Sequence, residues 1–490
     1  MSPKGRLEGE YRSAQHEGSP MNAARGRTAA AACGLLLAGC ATFSSDGGMD
    51  DVTKLAQERI GAPAAAVPAA RDADAARARS DVLLRAPLTA DAAVEVALLR
   101  NPALRVRLGE LGLAEADLVQ AGRLRNPVFA YSNKRNADVT QIERTVLVNI
   151  AALVMMPLAL EIEERRFAQA RLATAAEIVA TAAAVRQAYV RAVAAQEMAA
   201  YAAEVVLSAE ASSELARRMQ QVGNWSRLAQ MREQAYYAEA TAQLARAQQA
   251  AVAEREQLTR LLGLSGSDAA FVLPTRLPDV PAAPFAPADA ERTAMERRLD
   301  VQVAKLDAEG VAKSLGLTRA TRFVNVLEVG YTNESETGDA RKNGYEIELE
   351  LPLFDWGEAR IARAEIRYRQ ALARTSEVAI NAQSEVREAY AGYRTAYDLA
   401  KHYRDEIVPL RKRIAEENLL RYNGMLISVF ELLADGREQT ASVIAAIAAT
   451  RDYWLADAAL QLALTGRSPG AVLARSGDAP ALPAASAGGH

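Results

Sequence analysis

The side chains able to do chemistry are few. Among 490 residues there are two cysteines, Cys33 and Cys40, and three histidines, His16, His402 and His490. Two thiols seven positions apart in one apolar segment exclude a disulfide framework, a thiolate metal cage and a cysteine nucleophile elsewhere. His402, the one internal histidine, cannot build a catalytic triad or a multi-histidine metal centre alone, and its surroundings are those of a solvated helix residue. Asp and Glu number 61, yet no spacing singles out a catalytic pair and no Gly-rich loop could cradle a phosphate. The chain therefore reads as no enzyme, with no cofactor and no metal site.

The Cys40 thiol is the one reactive group with a reasoned context. From Met21 a short basic start, Arg25 and Arg27, leads into an apolar run from Ala29 to Ala38, followed by Gly39 and Cys40. This is a secretory signal, too short to span a membrane permanently. Leu37-Ala38-Gly39-Cys40 resembles a bacterial lipobox, which implies cleavage before Cys40 and lipid on its thiol and new amino end. Ala41 in place of Asp implies, in that lipoprotein class, sorting to the outer membrane. Met1 to Pro20 lack such logic and read as an upstream extension, with Met21 as the start, so 1–39 is expected to be extension and signal peptide. Beyond Cys40 no run of about twenty apolar residues occurs, so a membrane-spanning part has to be made of strands closed into a barrel. Net charge is −3 with both signs interspersed, which offers no basic face to nucleic acid.

The elements that must carry any function are mostly helical, because Gly and Pro are modest and Ala-rich polar stretches dominate. Residues 40–86, rich in Ala, Pro, Ser and Asp, are expected to be a lipidated flexible tether. At Thr89, a plausible N-cap, a helical apolar spacing begins (Val94, Leu98, Leu104, Leu108, Leu111, Leu118), broken at Asn101-Pro102. Val128 to Tyr131 and Thr145 to Ile150 are extended runs of a hairpin. From Glu161 to Gln221 a stretch without Gly or Pro would be on the order of 90 Å long as one helix. After Val222-Gly223-Asn224 a return helix runs to Leu262.

The order then repeats: helix from Pro287 to Arg319, strands Phe323 to Thr332 and Gly344 to Leu351 around a polar loop 333–343, a helix to Tyr422, a break at Asn423-Gly424, and a last helix to Thr465. Val185-Arg186-Gln187-Ala188-Tyr189 matches Val386-Arg387-Glu388-Ala389-Tyr390, and Gly223 aligns with Gly424 at the same offset of 201. The expected division is a first repeat 87–286, a second repeat 287–466, each of helix, β-hairpin and long helical hairpin, and a disordered tail 467–490.

Val386, Tyr390, Tyr393 and Tyr397 recur at helical spacing, so each long helix has an apolar stripe that needs a neighbour. Four strands cannot close a barrel, whereas three chains supply twelve, within the range of outer-membrane barrels. On the last strand Tyr345, Ile347, Leu349 and Leu351 alternate with Glu346, Glu348 and Glu350, as a wall between lipid and water requires.

With these features the chain resembles the TolC-like family of outer-membrane efflux ducts, over roughly Pro87 to Gly466. Leu351-Pro352-Leu353-Phe354-Asp355-Trp356-Gly357 resembles the family's turn from barrel strand into periplasmic helix, and Arg421-Tyr422-Asn423-Gly424 with Leu432-Leu433-Ala434 resembles its second helical tip. Gly223, Ser226 and Leu228 resemble the first tip. The resemblance implies a homotrimer, mostly α with membrane β: a long periplasmic α-helical barrel plus a 12-stranded β-barrel, four strands per chain. It implies an outer-membrane, lipid-anchored channel that passively conducts small molecules or ions from a periplasmic adaptor and inner-membrane pump to the exterior. Adaptor-docking tips would be Gly223, Asn224, Ser226, Arg421, Tyr422, Asn423 and Gly424. The family's constriction falls at Phe430 and Leu433, with Glu431 and Asp435 adjacent, which leaves open whether an acidic ring exists. The rival reading is a structural coiled-coil lipoprotein of the envelope without a pore.

Overall fold

Alanine and long straight-chain residues propagate helix at little entropic cost, and this chain uses them to gain length. The computed structural model describes residues 42–67, 72–136, 138–286, 289–320, 327–349 and 353–468. The signal, Cys40, Leu351-Pro352 and all of the tail beyond Ser468 lie outside these residues. In order the elements are α1 (Met49–Ile60), α2 (Ala73–Leu83), α3 (Ala90–Arg100), α4 (Pro102–Ala121), β1 (Val128–Asn136), β2 (Val139–Asn149), α5 (Ile150–Gln221) and α6 (Arg227–Leu262). They continue with α7 (Ala290–Arg297), α8 (Leu299–Ala320), β3 (Leu327–Glu336), β4 (Lys342–Leu349), α9 (Glu358–His402), α10 (Val408–Asn423) and α11 (Val429–Thr465). Helix, helix, hairpin and long helical hairpin thus occur twice. At 72 residues, α5 is about 108 Å long at 1.5 Å per residue.

Capping side chains set several boundaries. Thr89 accepts from the Ala92 amide. Asn101 closes α3, and its side chain accepts from Ala103 and Leu104 at the start of α4, where Pro102 needs no donor of its own. Gly263 ends α6 at φ 68°, and a Cβ there would sit 2.6 Å from the Arg100 carbonyl oxygen. This glycine lets two helix ends meet.

Several sequence expectations are corrected. Residues 42–67 and 72–86 are no loose tether: Met49, Val52, Ala56 and Ile60 make one apolar face of α1 that is buried against α5. The Ala- and Pro-rich composition hides that spacing, and the helix is held by tertiary burial rather than propensity. The polar loop between β3 and β4 is shorter than expected, because the strands extend to Glu336 and from Lys342. Helix α5 starts at Ile150, capped by Asn149, and carries Pro157 within it. The second long helix reaches Tyr422 as expected, but it is not α-helical throughout. A π-turn at Tyr403–Ile407 precedes α10, whose Pro409 lacks an amide donor and crowds the carbonyl four residues before it.

Two cores organise the body. One surrounds the middle of α5 and joins α1, α3, α4 and α6; the other lies between α9 and α11. In the second, Tyr453 meets Tyr393 and Tyr397 with ring centroids 5.7 and 5.9 Å apart. Their polar ends hold the proline-rich linker between the repeats. The Phe285 amide donates to the Tyr393 hydroxyl at 2.8 Å, the Tyr397 hydroxyl donates to Ala282 O at 2.8 Å, and Trp454 Nε1 donates to Pro278 O at 2.9 Å. The tyrosine stripe thus supplies both packing and hydrogen-bond partners for the linker backbone.

Arg298, 1% exposed, sits in the break between α7 and α8. Its guanidinium pairs with Asp300 at 2.6 Å and with Glu385 of α9 at 2.9 Å. Burial opposes its charge, but the two carboxylates outweigh that and raise its pKa. Arg298→Ala would strand Glu385 and Asp300 in a half-buried site and is expected to cost about 3–5 kcal/mol, read as a lowered midpoint of helix melting. Asp457 of α11 offers a pH test: burial raises its carboxyl pKa, and Arg186 only partly offsets this. A raised folded pKa means that stability is lost as pH climbs from about 4 through the folded value. Asp457→Asn should therefore melt higher than the parent chain at neutral pH and match it below pH of about 4; an equal gain at both pH values would contradict the assignment.

Candidate conducting wall and helical tips

The sheet is one antiparallel layer in the order β1-β2-β3-β4. Residues directly opposite each other in such a ladder share a face. Val146, Tyr331 and Tyr345 are partners across β2, β3 and β4, with Phe129 opposite Val146 on β1. The next row is Val148, Val329 and Ile347. One face is thus a band of aromatic and branched side chains, of which Tyr345 is 86% and Ile347 70% exposed. Tyr331 and Tyr345 meet edge-on with centroids 6.0 Å apart. Toward the hairpin tips the band ends in a polar row, where Arg144 donates to Asn333 at 3.1 Å and Asn333 to Asn343 at 2.7 Å.

The other face carries Glu143, Glu328, Glu334, Glu336, Glu346 and Glu348, with Lys134 and Lys342. Asn149 Nδ2 donates to Glu328 at 3.1 Å, and the Gln141 amide donates to Glu334. Gly330 makes room there for Leu147, whose Cδ2 would lie 2.8 Å from any Cβ at that position. The expected alternation on β4 is present from Tyr345 to Leu349, Glu350 and Leu351 lying outside the described residues, and the same division extends across β2 and β3. Neither β1 nor β4 has a strand on its outer side among the described residues. No described helix is long and apolar enough to cross a membrane.

At the far end of the long helices lie two reversals. Gly223 takes φ 79°; its amide donates to Gln220 O at 3.0 Å, and the Asn224 amide donates to Met219 O at 2.9 Å. Ser226 then caps α6 by accepting from Ala229. In the second reversal Gly424 does not take the corresponding conformation, since its φ is −81°. Met425 does, at φ 58°; its amide donates to Tyr422 O at 2.9 Å and that of Leu426 to Arg421 O at 2.8 Å. The geometric equivalent of Gly223 is therefore Met425, one position beyond the sequence alignment. Ser428, like Ser226, is the N-cap that follows.

The candidate aperture residues do different jobs. Phe430 stacks on Trp225 of the first tip, centroids 4.3 Å apart and planes 15° apart. Leu433 packs beside the cluster of Ala216, Trp225, Ala229 and Val429. Glu431 completes a capping box with Ser428, and Asp435 accepts from the Asn418 side chain. The chain thus does not gather Glu431 and Asp435 into one acidic group. Sequence reasoning missed Trp225 and the pairing of buried Glu233 with Arg437, whose guanidinium also lies 4.7 Å from the Tyr236 ring centroid. The signal available was the tryptophan two residues past Gly223, one of three in the chain.

Residues 292–466 match the family described as outer membrane efflux protein. Among solved structures, a membrane protein from Pseudomonas aeruginosa aligns at TM-score 0.65 and 21% identity, over 76% of this chain and 92% of that one. The Campylobacter jejuni CmeC outer membrane channel aligns at 0.65 and 17%, over 78% and 86%. The open state of the Neisseria gonorrhoeae MtrE outer membrane channel aligns at 0.65 and 17%, over 76% and 88%. No curated protein sequence matches the chain. The mostly helical body with one four-stranded sheet has the fold of TolC-like channels, as the sequence resemblance implied.

The two reversals make a reciprocal pair of tests. Methionine in the left-handed region is strained, and nothing lies within 4 Å of a Cβ built on Gly223, so the change there is purely conformational. Met425→Gly should stabilise its tip by about 1 kcal/mol and Gly223→Ala should loosen the other by a similar amount. Amide exchange over 219–226 and 421–428 reads both; unchanged exchange in either variant would contradict the assigned strain.

Proposed function

We propose that this chain, its second half matching the outer membrane efflux proteins and its body built as a TolC-like channel, is the outer-membrane duct of an efflux system. The observation that carries the reading is the sheet: one apolar face, one acidic face and two unpaired edges. In lipid each unpaired backbone group costs several kcal/mol, so β4 must find β1 of another copy. Three copies give twelve strands, with the apolar band toward lipid and the glutamates toward a water-filled lumen. Phe354, 99% exposed just before α9, and Trp356 suit the membrane–water boundary at the barrel base.

Below the barrel, helices of about 100 Å carry the lumen across the periplasm. The tips at Gly223, Asn224, Ser226 and 421–424 would dock on an adaptor that links the duct to an inner-membrane pump. Conduction is passive, with energy supplied by the pump. Opening separates the tips where Trp225 meets Phe430. Lipid on Cys40 would tether the chain beside the barrel. A pore-free coiled-coil lipoprotein would have no use for the exposed row of Tyr345 and Ile347.

Oligomeric mass in mild detergent, with and without heating, tests the reading together with conductance in planar bilayers. A heat-sensitive trimer that conducts is expected. Ile347→Lys should weaken barrel insertion by up to about 2–4 kcal/mol, whereas Glu346→Gln should insert normally. A monomer or dimer without conductance would overturn the duct.

A further inference from the structure

Resting on the duct reading above, we infer that the lipid-facing rim of the barrel binds a phosphorylated glycolipid of the outer leaflet, held by Arg144 and Arg135 just beyond the tyrosine row. The four strands sort their charges by face. Every carboxylate in them lies on the lumen side, and so do both lysines, Lys134 and Lys342, whereas both arginines share the other face with the aromatic band. Lys342 is matched by Glu336 and Asp339 at 3.6 and 3.5 Å. Neither arginine has an acid within ion-pair distance among the described residues. Their charge faces lipid unspent, so the counter-charge has to come from head groups.

Local geometry prepares Arg144 for a phosphate. It stands opposite Tyr131 on β1 and Asn333 on β3, and Asn333 stands opposite Asn343 on β4. The guanidinium donates one N–H to Asn333 at 3.1 Å, and Asn333 donates onward to Asn343 at 2.7 Å. A neutral amide partner orients the guanidinium and leaves its charge and its remaining donors available, in a fork that matches two phosphate oxygens.

The level agrees as well. Tyr331 and Tyr345 lie two residues below Asn333 and Asn343, about 7 Å along the strand, and such tyrosines mark the boundary between hydrocarbon and head groups. Arg135 pairs with Thr140, four residues of β2 beyond Arg144. That is about 13 Å of strand, or roughly 10 Å of height at the tilt of such barrels. A simple phospholipid head group is only about 5–8 Å deep. Two cations at these levels, with Asn133 and Ser335 in the row between them, fit a sugar head group that carries acidic groups at two depths.

The test uses the full-length protein in mild detergent with deep-rough lipopolysaccharide as the probe, a lipid whose glucosamines carry phosphates and whose outer sugars carry carboxylates. Native mass spectrometry reads the oligomer and the lipid retained on it together. Arg144→Gln and Arg135→Gln should each weaken retention about fivefold, and the double variant on the order of thirtyfold. Lys134→Gln removes the same charge one residue from Arg135 on the lumen face and should leave retention unchanged. Arg135 is exposed, so its variant reads the site even where loss of the Arg144 hydrogen bond disturbs the sheet. Equal loss from Lys134→Gln, or none from the double variant, overturns the site. Phosphatidylglycerol retained as tightly as the probe overturns the glycolipid, and displacement by inorganic phosphate at the probe's own concentration overturns a lipid ligand altogether. A parent trimer that conducts but retains no lipid overturns the site and leaves the duct standing, whereas absence of any trimer overturns both.

Discussion

The backbone groups along the outer edges of β1 and β4 impose the constraint on which the rest depends. A four-stranded layer with one apolar and one acidic face is stable neither as a free sheet in water nor as an open sheet in lipid. In the proposed trimer the missing partner is supplied by symmetry, and the hairpins of the two repeats are laid side by side so that β2 pairs with β3. That central pairing joins residues 185 positions apart, as between Val146 and Tyr331. The helices must bring both hairpins to one level before the ladder can form, which is one physical use for two helical units of similar length.

Holding the two units in register falls to a few directional polar contacts rather than to area alone. The proline-rich linker offers carbonyls that Tyr397, Trp454 and Arg404 cover, and Arg298 ties the break between α7 and α8 to α9. Arg59 of α1 reaches the Thr465 and Arg297 carbonyls at 3.3 and 3.0 Å. With its apolar face buried on α5, the N-terminal segment touches both repeats. Such contacts are directional, so they fix relative placement where an alanine-rich core, smooth and shallow, would tolerate sliding.

At the opposite end, a left-handed methionine and an aromatic stack across the two tips mark the part of the molecule under local strain. Strain persists where surrounding structure over-determines it. Here the following Ser428 cap and the Trp225–Phe430 stack do so. Phe430 and Leu433, where the resembled family has its constriction, face the neighbouring hairpin of their own chain.

Much of this architecture was legible from residue order. The breaks at Gly223 and at Asn423-Gly424, the cap at Thr89, the alternation on β4 and the duplication all depend on local chemistry or on period, which a linear sequence carries. What it did not carry were features that exist only when distant segments meet. The α1 helix is held by burial on α5, so its composition resembled a tether. The π-turn and the shift from Gly424 to Met425 are small changes of backbone register that pattern matching cannot resolve. The pair of Glu233 with Arg437 and the node at Arg298 join residues about 200 and 90 positions apart. Period and capping determined which elements form and which faces are apolar. Only tertiary structure decided which polar groups meet inside, because electrostatic pairing depends on distance in space and not on distance along the chain.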